Sequence, residues 1–201
     1  HVLVSAGKDP SFLVGGVTLN YSGNYRYGQG AHFVVEGDEY DTAYFDKGPK
    51  FLHYQPRTAI LTSVEFDHAD IYRDLEHYTR AFERFVALIP PDGHLVACAS
   101  YPAVQKLAQT CPGKVVTYSA QKGVEAQLTP SNLRFSEEGA RFTVMEKGTA
   151  LGELLLPMGG AHNVENALGV FAAGRCVGLS FEELRAGFAT FRGVKRRQEV
   201  R

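Results

Sequence analysis

The first half of the chain alternates short apolar runs with longer amphipathic stretches. Residues 12–17 are apolar and glycine-rich, which suggests a strand or a loop where backbones approach closely. Residues 21–30, rich in Gly, Asn and Tyr, read as a loop. The runs at 32–35 and 58–64 read as buried strands of a parallel sheet. From 71 to 88, Ile71, Leu75, Tyr78, Phe82, Phe85 and Val86 make a helical stripe. Asp70 is the expected N-cap of that helix, and Pro90-Pro91-Asp92-Gly93 stops it. Strands at 94–99 and 114–118 enclose a short helix at 102–109. The opening residues read as the last turns of a helix closed by Gly7. This is βαβ rhythm, so the fold class is α/β, a mostly parallel sheet flanked by helices.

Near Val124 the pattern changes. Residues 126–135, 141–146 and 150–156 are strands joined by tight turns at Glu137-Glu138-Gly139 and Lys147-Gly148. They predict a small antiparallel sheet appended to the parallel one. Helices return at 163–176 and 180–191, the second opened by a capping box of Ser180 and Glu183. The expected organisation is one domain: 1–124 parallel, 125–157 antiparallel, 158–191 closing helices, and 192–201 the basic start of a hinge. Both ends read as cut from something longer.

Composition narrows the classes. The 201 residues are 44% apolar and 21% charged, the globular range, and suffice for a core. A net charge of −1 gives no basic field for nucleic acid or an anionic membrane. No apolar run approaches a membrane span and no signal-peptide pattern is present. Cys98, Cys111 and Cys176 are scattered without metal-ligand spacing, as expected of reduced thiols in the cytoplasm.

Candidate chemistry lies in two acidic clusters about thirty residues apart, each after an apolar run. The first is Glu36-Gly37-Asp38-Glu39-Tyr40-Asp41, and the second is Glu65-Phe66-Asp67-His68-Ala69-Asp70. Parallel sheets place ligand sites at the carboxyl ends of their strands, so two neighbouring strand ends would aim carboxylates and one imidazole at one crevice. Asp38, Glu39 and Asp41 read equally as turn or cap residues of a solvated loop. Glu36 directly follows a strand, where a carboxylate is costly unless paired or metal-bound. Carboxylate and imidazole together suit magnesium or manganese. A third motif, His162-Asn163-Val164-Glu165-Asn166, sets two amides one helical turn apart. Amides match the edge of adenine, although one of them as a simple N-cap explains the pattern as well. Lys195-Arg196-Arg197 reads as a solvated linker or a phosphate clamp. There is no phosphate-loop, zinc or dinucleotide motif.

These motifs, in this order and nearly end to end, resemble the central domain of the Mur ligases. These are ATP-dependent amide-bond-forming enzymes of peptidoglycan metabolism with a P-loop NTPase-like central domain. The resemblance implies Glu36 as a magnesium ligand between the ATP phosphates and His68 as the imidazole at a second magnesium. It places Asn163 and Asn166, with His162 beside them, around adenine, and Arg197 near the phosphates at the hinge. Residues 12–20 match a loop near the sugar nucleotide. ATP and Mg2+ are the implied cofactors. A phosphate loop is expected before His1, and N- and C-terminal domains beyond the chain, so this stretch is expected to be inactive alone. The helix after His68 offers Arg80, Glu83 and Arg84 but no lysine, so the carbamylated lysine of some branches is not expected.

Residues 36–47, 50–54 and 65–71 are most similar to the branch joining UDP-N-acetylmuramate to the recycled murein tripeptide L-alanyl-γ-D-glutamyl-meso-diaminopimelate. The L-alanine-adding branch usually has Ser at the position of Tyr40 and lacks the insertion at 47–54. That branch, and a non-catalytic domain that binds a nucleotide or sugar nucleotide, are the alternatives.

Overall fold

The computed structural model describes residues 1–38, 40–64 and 74–195. The chain divides into two compact units, one formed by residues 1–36 with 128–201 and the other by 37–127.

The first unit opens with helix α1, Val2–Ser5. Gly7, at φ +68, lets Lys8 N–H reach Leu3 O and Gly7 N–H reach Val4 O, which satisfies the last carbonyls of the helix. A small sheet follows: β1 (Ser11–Leu13), β2 (Tyr25–Arg26) and β3 (Phe33–Val35), ordered β2-β1-β3. β3 runs parallel to β1, with Phe12 opposite Val34. The stretch read as a plain loop, 21–30, therefore contributes an edge strand. The strand expected at 32–35 forms, but not as a buried one: Phe33 is 65% exposed and Val34 43%. Its neighbour is β1, and it belongs to a different sheet from the strand at 58–64.

The second unit begins with a hairpin of β4 (Asp41–Ala43) and β5 (Asp46–Pro49), then a 3-10 turn over Lys50–His53. Strand β6 (Thr58–Leu61), helix α2 (Leu75–Ala87), strand β7 (His94–Cys98), helix α3 (Pro102–Ala108) and strand β8 (Lys114–Tyr118) follow. β6, β7 and β8 are parallel, with β7 central. Leu95 to Cys98 are all buried, as a strand covered on both faces requires. Helix α2 turns Tyr78, Ala81, Phe82 and Val86 onto a core shared with Phe51, Leu61, Leu95 and Leu107. Its N-cap is Asp74, whose side chain accepts His77 N–H, rather than the expected Asp70. Asp70 and Ile71 lie outside the described residues.

Back in the first unit, β9 (Leu128–Ser136), β10 (Gly139–Glu146) and β11 (Thr149–Leu156) form an antiparallel meander. Lys147 and Gly148 carry φ of +48 and +82, which suits the tight turn between β10 and β11. Ala140, Phe142 and Val144 alternate into the core with the period of a strand. Helices α4 (Ala161–Cys176) and α5 (Phe181–Ala189) pack on it, with Phe171 meeting Phe181 edge-on at 6.0 Å. The α/β expectation holds, as do the appended antiparallel sheet and the capping box of Ser180 and Glu183. No helix among the described residues is long and apolar enough to cross a membrane.

Candidate functional site

Parallel pairing of β1 and β3 brings their carboxyl ends side by side. Glu36 follows β3, and Val14-Gly15 follow β1. Glu36 N–H donates to Leu13 O at 3.1 Å, so the ladder continues one residue past the strand. Gly15 N–H then donates to Glu36 Oε2 at 2.5 Å. The carboxylate is exposed, so its presence after a strand involves little desolvation, contrary to the burial expected for it. The strand paired with β3 is β1, so the strand end beside Glu36 within the first unit is that of β1.

Asp38 of the first cluster takes part in local structure. Asp38 Oδ1 accepts Tyr40 N–H at 2.9 Å, a local turn of the kind Asp favours. Asp38 Oδ2 pairs with Lys50 Nζ at 2.8 Å, and this partner raises the lysine pKa. In the adjoining hairpin, Asp46 accepts Gly48 N–H at 3.0 Å and His53 Nε2 lies 2.8 Å from its other oxygen. The Gly48 amide, and then His53, hold its carboxyl below the usual carboxylate range. Glu39 lies outside the described residues, as do Glu65, Asp67, His68 and Asp70 of the second cluster and Arg196 and Arg197.

The amide pair sits in the first two turns of α4. Gly160, at φ +93, is the N-cap, so neither asparagine caps the helix. Asn163 Nδ2 donates to Gly159 O at 2.6 Å, which folds the preceding glycine turn over the helix start. Asn163 is half-buried, while His162 and Asn166 are exposed. The first turn carries no acidic residue, and the positive end of a helix dipole suits phosphate or an electron-rich base edge.

Magnesium takes hard oxygen ligands, commonly one or two carboxylates with substrate phosphates completing the shell. An exposed carboxylate with one oxygen fixed by a backbone N–H fits that donor type. No group of three His, Cys, Asp or Glu side chains able to hold a metal occurs among the described residues. Gly15 was not singled out from the sequence as a partner of Glu36. The glycine-rich 12–17 run suggested a close approach of backbones, and the resemblance placed 12–20 near the sugar nucleotide.

Known proteins resemble this chain over nearly its whole length. The Mur ligase middle domain family matches residues 24–174. The UDP-N-acetylmuramate–L-alanyl-γ-D-glutamyl-meso-2,6-diaminoheptandioate ligase of Haemophilus influenzae is 35% identical over 201 residues, covering 100% of this chain and 43% of that protein. The UDP-N-acetylmuramate–L-alanine ligase of Salinibacter ruber is 36% identical over 198 residues, 98% of this chain and 40% of that protein. The crystal structure of UDP-N-acetylmuramate:L-alanyl-γ-D-glutamyl-meso-diaminopimelate ligase from Neisseria meningitides superposes with a TM-score of 0.85 at 35% identity. That alignment covers 97% of this chain and 61% of that one. The chain spans less than half the length of these two curated relatives.

Proposed function

The chain belongs to the Mur ligase family, and on that premise we propose that it is the central, ATP-binding domain of a cytoplasmic ligase that joins UDP-N-acetylmuramate to the recycled murein tripeptide. The observation that carries the ligase reading is the 35% identity, over the whole chain, to the Haemophilus influenzae ligase named for that tripeptide, and the choice of the tripeptide rests on the residues that resemble its branch. In this reading, 1–201 is one central domain, with N- and C-terminal domains elsewhere in the longer protein.

The proposed reaction activates a carboxylate. The lactyl carboxylate of UDP-N-acetylmuramate takes the γ-phosphoryl group of ATP, giving an acyl phosphate and ADP. The peptide amine adds to the acyl carbon, and phosphate leaves from the tetrahedral intermediate. Magnesium, when bound, neutralises charge on the transferring phosphoryl group. Glu36 supplies a carboxylate oxygen toward the phosphates, oriented by the Gly15 amide. His68 supplies an imidazole on the acyl side. Asn163 and Asn166, with His162, hold the adenine at the start of α4. Arg197 holds phosphate where the chain leads toward the C-terminal domain. Positioning and fixed charge of this kind usually provide most of the acceleration in phosphoryl transfer.

Relatives named for L-alanine addition match at similar identity, so an L-alanine-adding ligase is the second reading. Tyr40 and the 47–54 segment favour the tripeptide. In the full-length protein, Glu36→Ala and His68→Ala should each reduce turnover by orders of magnitude. A near wild-type rate in either variant removes that residue from the metal site.

A further inference from the structure

Gly15 and Gly16 sit between two parts of the first unit, and each is glycine for a steric reason. Neither has a positive φ, so the backbone itself would accept alanine at both. The space would not. A Cβ on Gly15 would lie 2.9 Å from Glu36 Oε2 and 3.1 Å from Oε1. A Cβ on Gly16 would lie 2.5 Å from Val194 Cγ1. The Val194 side is fixed by backbone bonds: Leu19 N–H to Gly193 O at 3.0 Å, Lys195 N–H to Val17 O at 2.9 Å, and a bridge between Thr18 and Val194. The Glu36 side is fixed by Glu36 N–H to Leu13 O and by Gly15 N–H to the carboxylate.

We propose that the Gly15-Gly16 turn is a positioning device: Gly15 aims the Glu36 carboxylate, and Gly16 seats the turn against the 193–195 segment. This rests on Glu36 being a magnesium ligand. With Oε2 tied to the Gly15 amide, the rotation of the carboxylate is set and Oε1 is the oxygen left to present. Partners that orient a ligating carboxylate in this way commonly contribute 10- to 100-fold in metal affinity. The close contact at Gly15 is with the far end of a flexible side chain, so a methyl group there displaces the carboxylate rather than the fold. The contact at Gly16 is with a β-branched side chain on a hydrogen-bonded segment, so a methyl group there displaces the segment. The two glycines should therefore fail differently.

The test uses the full-length protein with ATP and Mn2+ as the probe, followed by electron paramagnetic resonance, alongside thermal denaturation. Gly15→Ala should weaken Mn2+ binding about tenfold or more, with a melting midpoint near that of wild type. Gly16→Ala should lower the midpoint, and adding Val194→Ala should restore much of it, a coupling that independent sites do not show. Wild-type Mn2+ affinity in Gly15→Ala, with that affinity lost in Glu36→Gln, overturns the role of Gly15 while leaving the metal assignment standing. Wild-type affinity in Glu36→Gln overturns the metal assignment and this inference with it. Failure of Val194→Ala to rescue Gly16→Ala overturns the seating. Hydrogen exchange of the Gly15 amide gives a check free of the glycine variants: it should quicken in Glu36→Ala, and unchanged exchange overturns the bond.

Discussion

The side-chain amide of Asn163 donates to the Gly159 carbonyl 2.6 Å away, across the turn that starts helix α4. Asn163 therefore has a structural duty beside the adenine contact proposed for it, whereas Asn166, exposed one turn on, makes no such bond among the described residues. The two should separate on substitution. Asn166→Ala should raise the KM for ATP about tenfold, the scale of a paired amide–base contact, with stability unchanged. Asn163→Ala should raise KM similarly and also cost about 1 kcal/mol of stability from the lost hydrogen bond. Initial rates against ATP concentration and urea denaturation measure both, and an unaltered KM in both variants removes adenine from this helix.

Phe51 anchors the hairpin segment to helix α2. Its ring centroid lies 5.2 Å from that of Phe82 and 4.9 Å from that of Phe85, and the side chain is 3% exposed. Phe51→Ala should cost about 3–5 kcal/mol, the usual range for emptying a buried aromatic site. Denaturant unfolding that shows less than about 1 kcal/mol of loss would mean that the segment does not depend on this packing.

Acid should weaken the fold through three half-buried carboxylates. Backbone and side-chain donors depress the pKa of Asp9 (Gln29, then Arg26), Asp46 (Gly48, then His53) and Glu183 (Ser180). A depressed folded-state pKa adds stability that is full above the unfolded-state value and lost as pH falls through the folded one. Stability should thus hold near neutrality and decline below about pH 4, where ordinary carboxylates titrate. Ser180→Ala should cost about 1 kcal/mol near neutrality as the helix cap is lost, and the pH dependence should flatten in part, since Glu183 keeps the Ser180 backbone N–H but loses the hydroxyl. An unchanged slope between pH 3 and 5 contradicts this use of Glu183.

What the sequence made legible follows from the range of each interaction. Strand β8 was expected at its observed bounds, Lys114 to Tyr118, because its β-branched and aromatic residues form a local run. The cap at Ser180 was legible because its partner is three residues away. The β4–β5 hairpin was not, since its turn carries Tyr44 and Phe45, both over 90% exposed, where turn residues are expected. The N-cap of α2 was placed at Asp70 rather than Asp74 because several acidic residues precede the stripe and any of them could begin the helix. At the candidate site, Glu36 was singled out from its place after a strand, but its partner was not. The Gly15–Glu36 bond spans 21 positions and needs β1 beside β3, a pairing that no local pattern encodes.

The most direct test of the central claim is a comparison of two amines. The full-length protein is supplied with ATP, magnesium and UDP-N-acetylmuramate, and ADP release is followed with L-alanyl-γ-D-glutamyl-meso-diaminopimelate and, separately, with L-alanine. The proposed function predicts rapid release with the tripeptide and little with L-alanine. Release with L-alanine alone, or with neither amine, would contradict it.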